Sequence, residues 1–295
     1  MNKEPDWNLY RSFLAALEEG SLSGAARRLG LTQPTLARHL DALEQAIGAQ
    51  LFLRSQRGLA PTDTALELGP YARSLAATAA ALLRTASGRA SEVRGTVRIS
   101  ASEVVGAEHL PPVLAMLRAH HPGLVVELVL SNAVENVLER AADLAVRMTE
   151  PQQEALLAKR LPPIRLGLHA HESYIARKGM PARLDDLTGH DLIGYDRETP
   201  AIRAVLARFP MLERPAYALR TDSDLAQLAA IRAGFGIGIC QQAIARREPD
   251  LVHLLPDAFA LDLPVFIVMH EDLKASARHR VVFEALVEAM RVVGA

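Results

Sequence analysis

The sequence predicts two unlike halves: an N-terminal all-α winged helix-turn-helix with a long linker helix, and a C-terminal α/β part. Three observations predict this. Between residues 21 and 48 two apolar stripes at helical spacing are separated by Gly30 and a capping Thr32. From Thr62 to Ala86 the apolar residues keep a heptad repeat. Beyond residue 95, short β-rich runs alternate with helical ones.

The elements follow in order. Asp6-Trp7-Asn8 opens a first helix whose inner face is Leu9, Phe13, Leu14 and Leu17, and Gly20 ends it. A short second helix is expected to be capped by Ser23, to bury Ala25, Ala26 and Leu29, and to stop at Gly30. Thr32 caps a third, with Pro34 in the first turn, where a missing N–H costs nothing. Leu36, Leu40, Leu43 and Ile47 form its buried stripe, and Gly48 ends it.

The polar face of the third helix carries the function. Thr32, Gln33, Thr35, Arg38 and His39 cluster near its N-terminus, the end that enters the major groove in a helix-turn-helix. Gln reads adenine, Arg reads guanine, and Thr or a helix N-terminus holds phosphate. The plain alternative is a helical hairpin in a bundle with a solvated polar face. Residues 51–54 and 59–61 then read as a small hairpin, a wing with Arg54 and Arg57 at its tip. Five arginines between Arg27 and Arg57 face only Asp41 and Glu44, a local excess that a phosphate backbone attracts.

In the long helix Leu68, Ala72, Leu75, Ala79, Leu82 and Ala86 form a seam suited to pairing with a second copy; Pro70 is expected to kink or restart it. Residues 87–91 read as a linker. The expected domains are 1–61, 62–90 and 91–295.

The second half is expected to hold strands at 95–100, 124–130 (buried), 143–147, 164–169, 192–195, 216–220, 237–240, 251–255 and 265–270. Helices are expected at 107–120, 135–142, near 185–187, at 223–233 and at 275–293. The sheets should be largely parallel.

These residues resemble the LysR-type transcriptional regulators. The resemblance rests on S-x-x-x-A-A-x-x-L-x-x-T-Q-P-T-L-x-R-x-L-x-x-L-E, then L-F-x-R and P-T; residues 23, 32–35, 38, 39, 54 and 57 are the DNA-binding candidates. Members usually read Leu-Thr-x-x-Gly after the wing, where this chain has Pro61-Thr62-Asp63-Thr64-Ala65. A weaker likeness continues through G-T-V-R-I-S-A, A-D-L-A-V-R and A-G-F-G-I-G-I, although Cys240-Gln241 stands where proline is common. It implies a two-lobed effector domain like the periplasmic solute-binding proteins, lobe I near 93–162 and 271–295, lobe II near 163–270.

A small molecule would then sit between the lobes, at the carboxyl ends of strands. The candidates are Ser100, Ser102 and Glu103 at one helix start, Asp222 and Ser223 at another, and Asn132, Arg147 and Tyr195 around the mouth. Each Ser or Asp also serves simply as its own helix cap, and Arg147 has a structural alternative in Glu103 or Asp143. With Glu103 and Asp222 present, a ligand bearing a donor or positive group, or at most one negative charge, is expected.

Composition excludes other classes. The chain has 295 residues with 33 basic against 34 acidic, so any nucleic-acid footprint is local. One cysteine, Cys240, permits no internal disulfide. The first residues lack an apolar core and no window suits a membrane span, so a cytoplasmic protein without secretory signal is expected. His169 and His171 share a strand face but find no second cluster for a metal and read as a solvated strand end. Gly234-Phe-Gly236-Ile-Gly238 follows a helix rather than opening one, so it is no dinucleotide fingerprint. No catalytic residue, metal or cofactor is expected.

The expectation is a DNA-binding transcriptional regulator controlled by an effector. Its partners would be double-stranded promoter DNA, the effector, further copies of the chain through the linker helix, and RNA polymerase. The alternatives are a solute receptor whose N-terminal helices contact only protein, and an enzyme with a regulatory N-terminal domain.

Overall fold

The structure, a computed structural model, describes residues 4–55, 58–86, 92–132, 142–151, 156–213 and 216–294. The chain divides after Ala86 into two units.

In the first unit, α1 (Trp7–Glu19) is capped by Asp6, whose carboxylate accepts from Asn8 N at 2.8 Å. The second helix, α2 (Leu22–Leu29), is capped by Ser21 and not by Ser23. Ser21 has the extended backbone that a cap needs, and its Oγ accepts from Gly24 N at 3.2 Å; Ser23 already lies inside the first turn. Gly30 ends α2 with a φ of 66°. Then come α3 (Gln33–Ile47), capped by Thr32, the wing strands β1 (Phe52–Ser55) and β2 (Gly58–Pro61), and α4 (Asp63–Ala86). Phe13, Ala16, Ala25, Leu36, Leu40, Leu43, Leu51 and Phe52 make the core; Ile47, the last residue of the stripe, stays 36% exposed.

The long helix runs through Pro70 without restarting. One missing N–H removes one bond, while Leu68 and Ala72 hold that turn onto the core. Thr62 closes the corner before it: its Oγ accepts from Ala65 N, and its N–H donates to Leu51 O at 2.9 Å. Beyond Ala72 the seam is open, with Leu75 at 47% and Leu82 at 67% exposure.

The second unit begins with β3 (Gly95–Ala101). The helix expected over 107–120 is two, α5 (Glu103–Glu108) and α6 (Leu110–His120). Pro111 and Pro112 fit a first turn but cannot continue a helix from above, so the chain breaks at His109. Then follow β4 (Leu124–Leu130), β5 (Leu144–Arg147), β6 (Leu156–His171), α7 (Glu172–Lys178), β7 (Leu192–Gly194), α8 (Pro200–Arg208) and β8 (Tyr217–Arg220). The chain closes with α9 (Asp224–Arg232), β9 (Gly238–Gln241), α10 (Gln242–Ala245), β10 (Leu251–Leu254), β11 (Leu261–His270) and α11 (Ala277–Gly294). The segment near 185 is a 3-10 turn, and the helix expected at 135–142 lies outside the described residues except for its last position.

The main sheet runs β10-β6-β11-β5-β3-β4, with β9 also on β6. It is mixed rather than largely parallel. The pairs β3–β4 and β3–β5 are parallel, but β11 is antiparallel to β5 and β6, and β6 to β9 and β10. The cause is that β6 and β11 pass between the lobes in opposite directions. The strand β4 is an edge: Val125 is 53% exposed and Leu130 39%, so its apolar run is not buried as expected. Lobe I packs Val97, Ile99, Val146, Ile267, Val282 and Leu286; lobe II packs around Tyr174, Leu192, Phe209 and Phe259.

Candidate DNA interface and ligand cleft

The N-terminal end of α3 is built to present side chains outward. Thr32 Oγ1 accepts from Thr35 N and lies 2.8 Å from Thr35 Oγ1, which fixes both hydroxyls at the first turn. Gln33, Pro34 and Arg38 are exposed, and Gln33 and Arg38 make no side-chain hydrogen bond or ion pair among the described residues. His39 is different. It is half-buried, and its Nδ1 lies 2.8 Å from Oγ of Ser12, a residue of α1 that is 1% exposed. His39 therefore ties α3 to α1, a role its place on the polar face did not signal.

A second unforeseen residue is Glu44. Its Oε1 accepts from Leu51 N at 2.7 Å and Phe52 N at 3.2 Å, anchoring the wing to the far end of α3. The wing also docks on the end of α1: Leu59 N donates to Gly20 O at 2.9 Å. Gly58, with φ 123°, leaves no room for a Cβ, which would stand 2.7 Å from that carbonyl. The hairpin itself pairs Phe52 with Pro61 and Ser55 with Gly58. Arg57 and the Arg54 side chain lie outside what is described. The arginine excess is smaller in space than in sequence, because Arg28 pairs with Glu18 at 2.5 Å.

In the second unit four of the residues predicted for the cleft, Glu103, Asn132, Tyr195 and Ser223, come together around Asp224, and Ser100 meets Arg147 in a separate contact. Glu103 Oε2 accepts from Ser223 Oγ at 2.9 Å and from Leu225 N at 3.4 Å, linking α5 of lobe I to α9 of lobe II. Asn132 donates to Asp224 at 2.9 Å and accepts from Glu103 N at 3.1 Å. Tyr195 donates its hydroxyl to the other oxygen of Asp224 at 3.1 Å. Burial, with the charge of Glu103 adding, holds the Asp224 carboxyl above the ordinary range. Asp224 thus has the place expected of Asp222. Asp222 is bound by Arg197, through Nε at 2.6 Å and the backbone N–H at 2.9 Å, and its carboxyl is held below the ordinary range chiefly by that N–H. Ser223 caps α9, accepting from Ala226 N. Ser102 stands before α5 without a side-chain cap bond.

Arg147, at the carboxyl end of β5, is 7% exposed. Its Nη2 donates to Ser100 Oγ at 2.9 Å, and its Nε has no partner. It pairs with neither structural alternative: Glu103 is occupied across the lobes, and Asp143 accepts from Arg98 N at 2.8 Å.

A second inter-lobe link was not legible. Arg232, at the end of α9, holds Glu108 at the end of α5 with two bonds of 2.8 Å and also pairs with Glu248. Beside it His109 Nε2 lies 2.8 Å from Gln241 Oε1, giving the Gln of the divergent Cys240-Gln241 pair a role. Burial pushes the Cys240 thiol up to about 12. His169 is no solvated strand end: it is 1% exposed and stacked on His253 at 4.6 Å, and burial lowers its pKa to about 4. The strand partner β10 covers it, which the sequence spacing did not reveal. The glycine-rich stretch is a tight helix-to-strand turn between α9 and β9, closed by Gly234 N to Ile231 O and Phe235 N to Ala230 O, and Gly236 passes so close to Asp191 O that a Cβ would stand 2.0 Å from it. Among the described residues no His, Cys, Asp and Glu side chains group as a metal site, and no helix is long and apolar enough to cross a membrane.

Comparison with known proteins agrees with this architecture. Residues 7–66 match the bacterial regulatory helix-turn-helix model of the lysR family, and residues 90–291 match the LysR substrate binding domain. The chain is 28% identical to the probable HTH-type transcriptional regulator LtrA of Klebsiella pneumoniae, covering 100% of this chain and 97% of that one. It is 28% identical to the HTH-type transcriptional regulator ClcR of Pseudomonas putida, over 80% of this chain and 82% of that. Among solved structures, CbnR complexed with its target DNA has a TM-score of 0.65 at 20% identity, covering 98% of this chain and 99% of that. AphB of Vibrio cholerae has a TM-score of 0.60 at 19% identity, covering 97% and 98%. The chain belongs to the LysR family of bacterial regulators, DNA-binding proteins with a two-lobed effector domain.

Proposed function

We propose that this regulator reads base edges with Gln33 and Arg38 and holds the duplex backbone with Thr32, Thr35 and the wing arginines Arg54 and Arg57. Ser23 and Pro34 flank that surface. The observation that carries this reading is that Gln33 and Arg38 stand exposed and unpaired at the N-terminal end of α3, whose inner face is locked in the core. His39 positions α3 instead of reading bases.

Two chains paired along the open half of α4 would present two such ends to a two-fold-symmetric operator. A promoter-bound dimer or tetramer would then stand next to RNA polymerase. The effector would enter between the lobes at Ser100, Ser102, Asn132, Arg147 and Tyr195, with Glu103, Asp224 and Ser223 forming the latch it must rearrange. A ligand that favours one lobe arrangement shifts its population and thereby the spacing of the paired DNA-binding units.

The test is a fluorescence-anisotropy titration of the full chain against duplexes from its own genomic neighbourhood, repeated at several salt concentrations. Tight binding to one duplex, lost on Arg38→Ala, supports the reading. Equal and weak binding to every duplex, unaltered by that substitution, refutes it.

A further inference from the structure

We propose that the cleft takes a small zwitterion, with its carboxylate on Arg147 and its ammonium between Glu103 and Asp224. The inference rests on reading the cleft as the effector site and adds the chemistry of the ligand.

Arg147 supplies the first half. A guanidinium stays charged at any physiological pH. This one is 7% exposed, holds only the neutral Ser100 hydroxyl, and leaves Nε without a partner. No carboxylate among the described residues pairs with it. A buried charge in that condition is costly, and a planar carboxylate is the group that best matches its fork.

Glu103 and Asp224 supply the second half. They come from opposite lobes, and each accepts only from neutral groups: Ser223 Oγ and Leu225 N for Glu103, Tyr195 OH and Asn132 Nδ2 for Asp224. No lysine or arginine pairs with either among the described residues, whereas nearby Asp222 and Glu108 each have an arginine. Burial and the adjacent Glu103 both disfavour the ionised form of Asp224, as expected of two carboxylates that share a site without a cation.

The two charge centres are tethered to the same short stretch of chain. Ser100, which bonds Arg147, and Glu103 are three residues apart, so their Cα atoms are separated by at most about 11 Å even for extended chain, and probes of graded length cover the side-chain reach beyond that. A dianion would set its second charge against Glu103 and Asp224. A simple amine would leave Arg147 uncompensated. A molecule with one charge of each sign answers both, and its ammonium would bridge the lobes where neutral donors now hold them.

The experiment uses the full-length protein in calorimetric and thermal-shift titrations. The probes are glycine, β-alanine, 4-aminobutanoate, 6-aminohexanoate and L-leucine at millimolar concentration. Each is compared with the acid lacking the amino group and the amine lacking the carboxylate. At least one amino acid is expected to bind about tenfold tighter than both of its halves. Arg147→Gln should abolish that binding, Arg147→Lys should retain part of it, and Asp224→Asn should reduce the amino acid to the level of the plain acid. Melting curves of the free variants establish that each is folded. If plain acids bind as well as amino acids and Arg147→Gln still abolishes both, the zwitterion is refuted while the cleft stands. If folded Arg147→Gln binds every probe like the parent, both are refuted; if no probe binds the parent, the zwitterion is refuted.

Discussion

Ser12 and His39 meet inside the DNA-binding unit, Oγ to Nδ1 at 2.8 Å, and so join the scaffold helix to the helix that faces the groove. Ser12→Ala leaves a half-buried ring nitrogen without its partner, a loss of about 1–2 kcal/mol. The melting temperature should fall, and affinity for the cognate duplex should drop several-fold as α3 loosens. Anisotropy at fixed salt measures the second effect; an unchanged affinity would show that α3 is held without this contact.

Gln33→Ala and Arg38→Ala act on base recognition. Each should cost about 1–3 kcal/mol at the cognate site and little on unrelated DNA. Arg54→Ala and Arg57→Ala should instead weaken all duplexes alike and lower the salt slope by about one each. Competition binding with cognate and scrambled duplexes separates the two classes.

Glu44 serves the wing. With two backbone N–H groups on one carboxylate oxygen, Glu44→Ala should destabilise the N-terminal unit by about 2–3 kcal/mol and weaken DNA binding without altering sequence preference. Glu44→Gln keeps an acceptor and should recover part of the loss. Urea melts of the three proteins give the comparison.

Arg232 clamps the lobes at the end of α5 and α9 away from the latch. Its side chain is 34% exposed, so solvent screening limits its worth. Arg232→Met should cost about 1–2 kcal/mol. Combined with Glu108→Gln, the loss should be smaller than the sum of the two singles by about 1 kcal/mol. Additive losses in denaturant titration would mean that the pair is not coupled.

His169 makes the effector half sensitive to acid. Its folded pKa of about 4 lies below the ordinary value near 6.5. Between these values the unfolded chain takes up a proton that the folded chain refuses. Stability is therefore full above about pH 6.5 and falls as the pH drops toward 4, by up to about 3 kcal/mol. His253 is shifted the same way by burial and adds in the same sense. His169→Phe keeps a ring for stacking but cannot titrate, so its denaturation midpoint should change less between pH 7 and pH 5.

Local periodicity and capping made the DNA-binding unit legible. Leu36, Leu40 and Leu43 are buried as their spacing requires, and Gly20, Gly30 and Gly48 end their helices with positive φ. The same reading placed the cap at Ser23 instead of Ser21, because two serines two residues apart look alike until the backbone is known. The contacts between the lobes were legible as strand ends and helix starts: Glu103, Asn132, Tyr195 and Ser223 converge. Asp224 was missed because the sequence offers two acidic residues on either side of the capping Ser223, and only the fold shows that Arg197 occupies Asp222 while Asp224 faces Tyr195 and Asn132. The contacts Ser12–His39, Glu108–Arg232 and His109–Gln241 span 27 to 132 residues, and no local pattern encodes them.

The strands β6 and β11 belong to both lobes at once, since β6 pairs with β11 over Leu156 to Leu166 and then continues between β9 and β10. Lobe I is not a continuous piece of chain, because β11 and α11 return to its core after the whole of lobe II has been made. A chain truncated anywhere from residue 156 to residue 270 should therefore lose the strand and helix that complete lobe I, and proteolytic nicking of either strand would unseat the sensor's shared sheet rather than release one intact half.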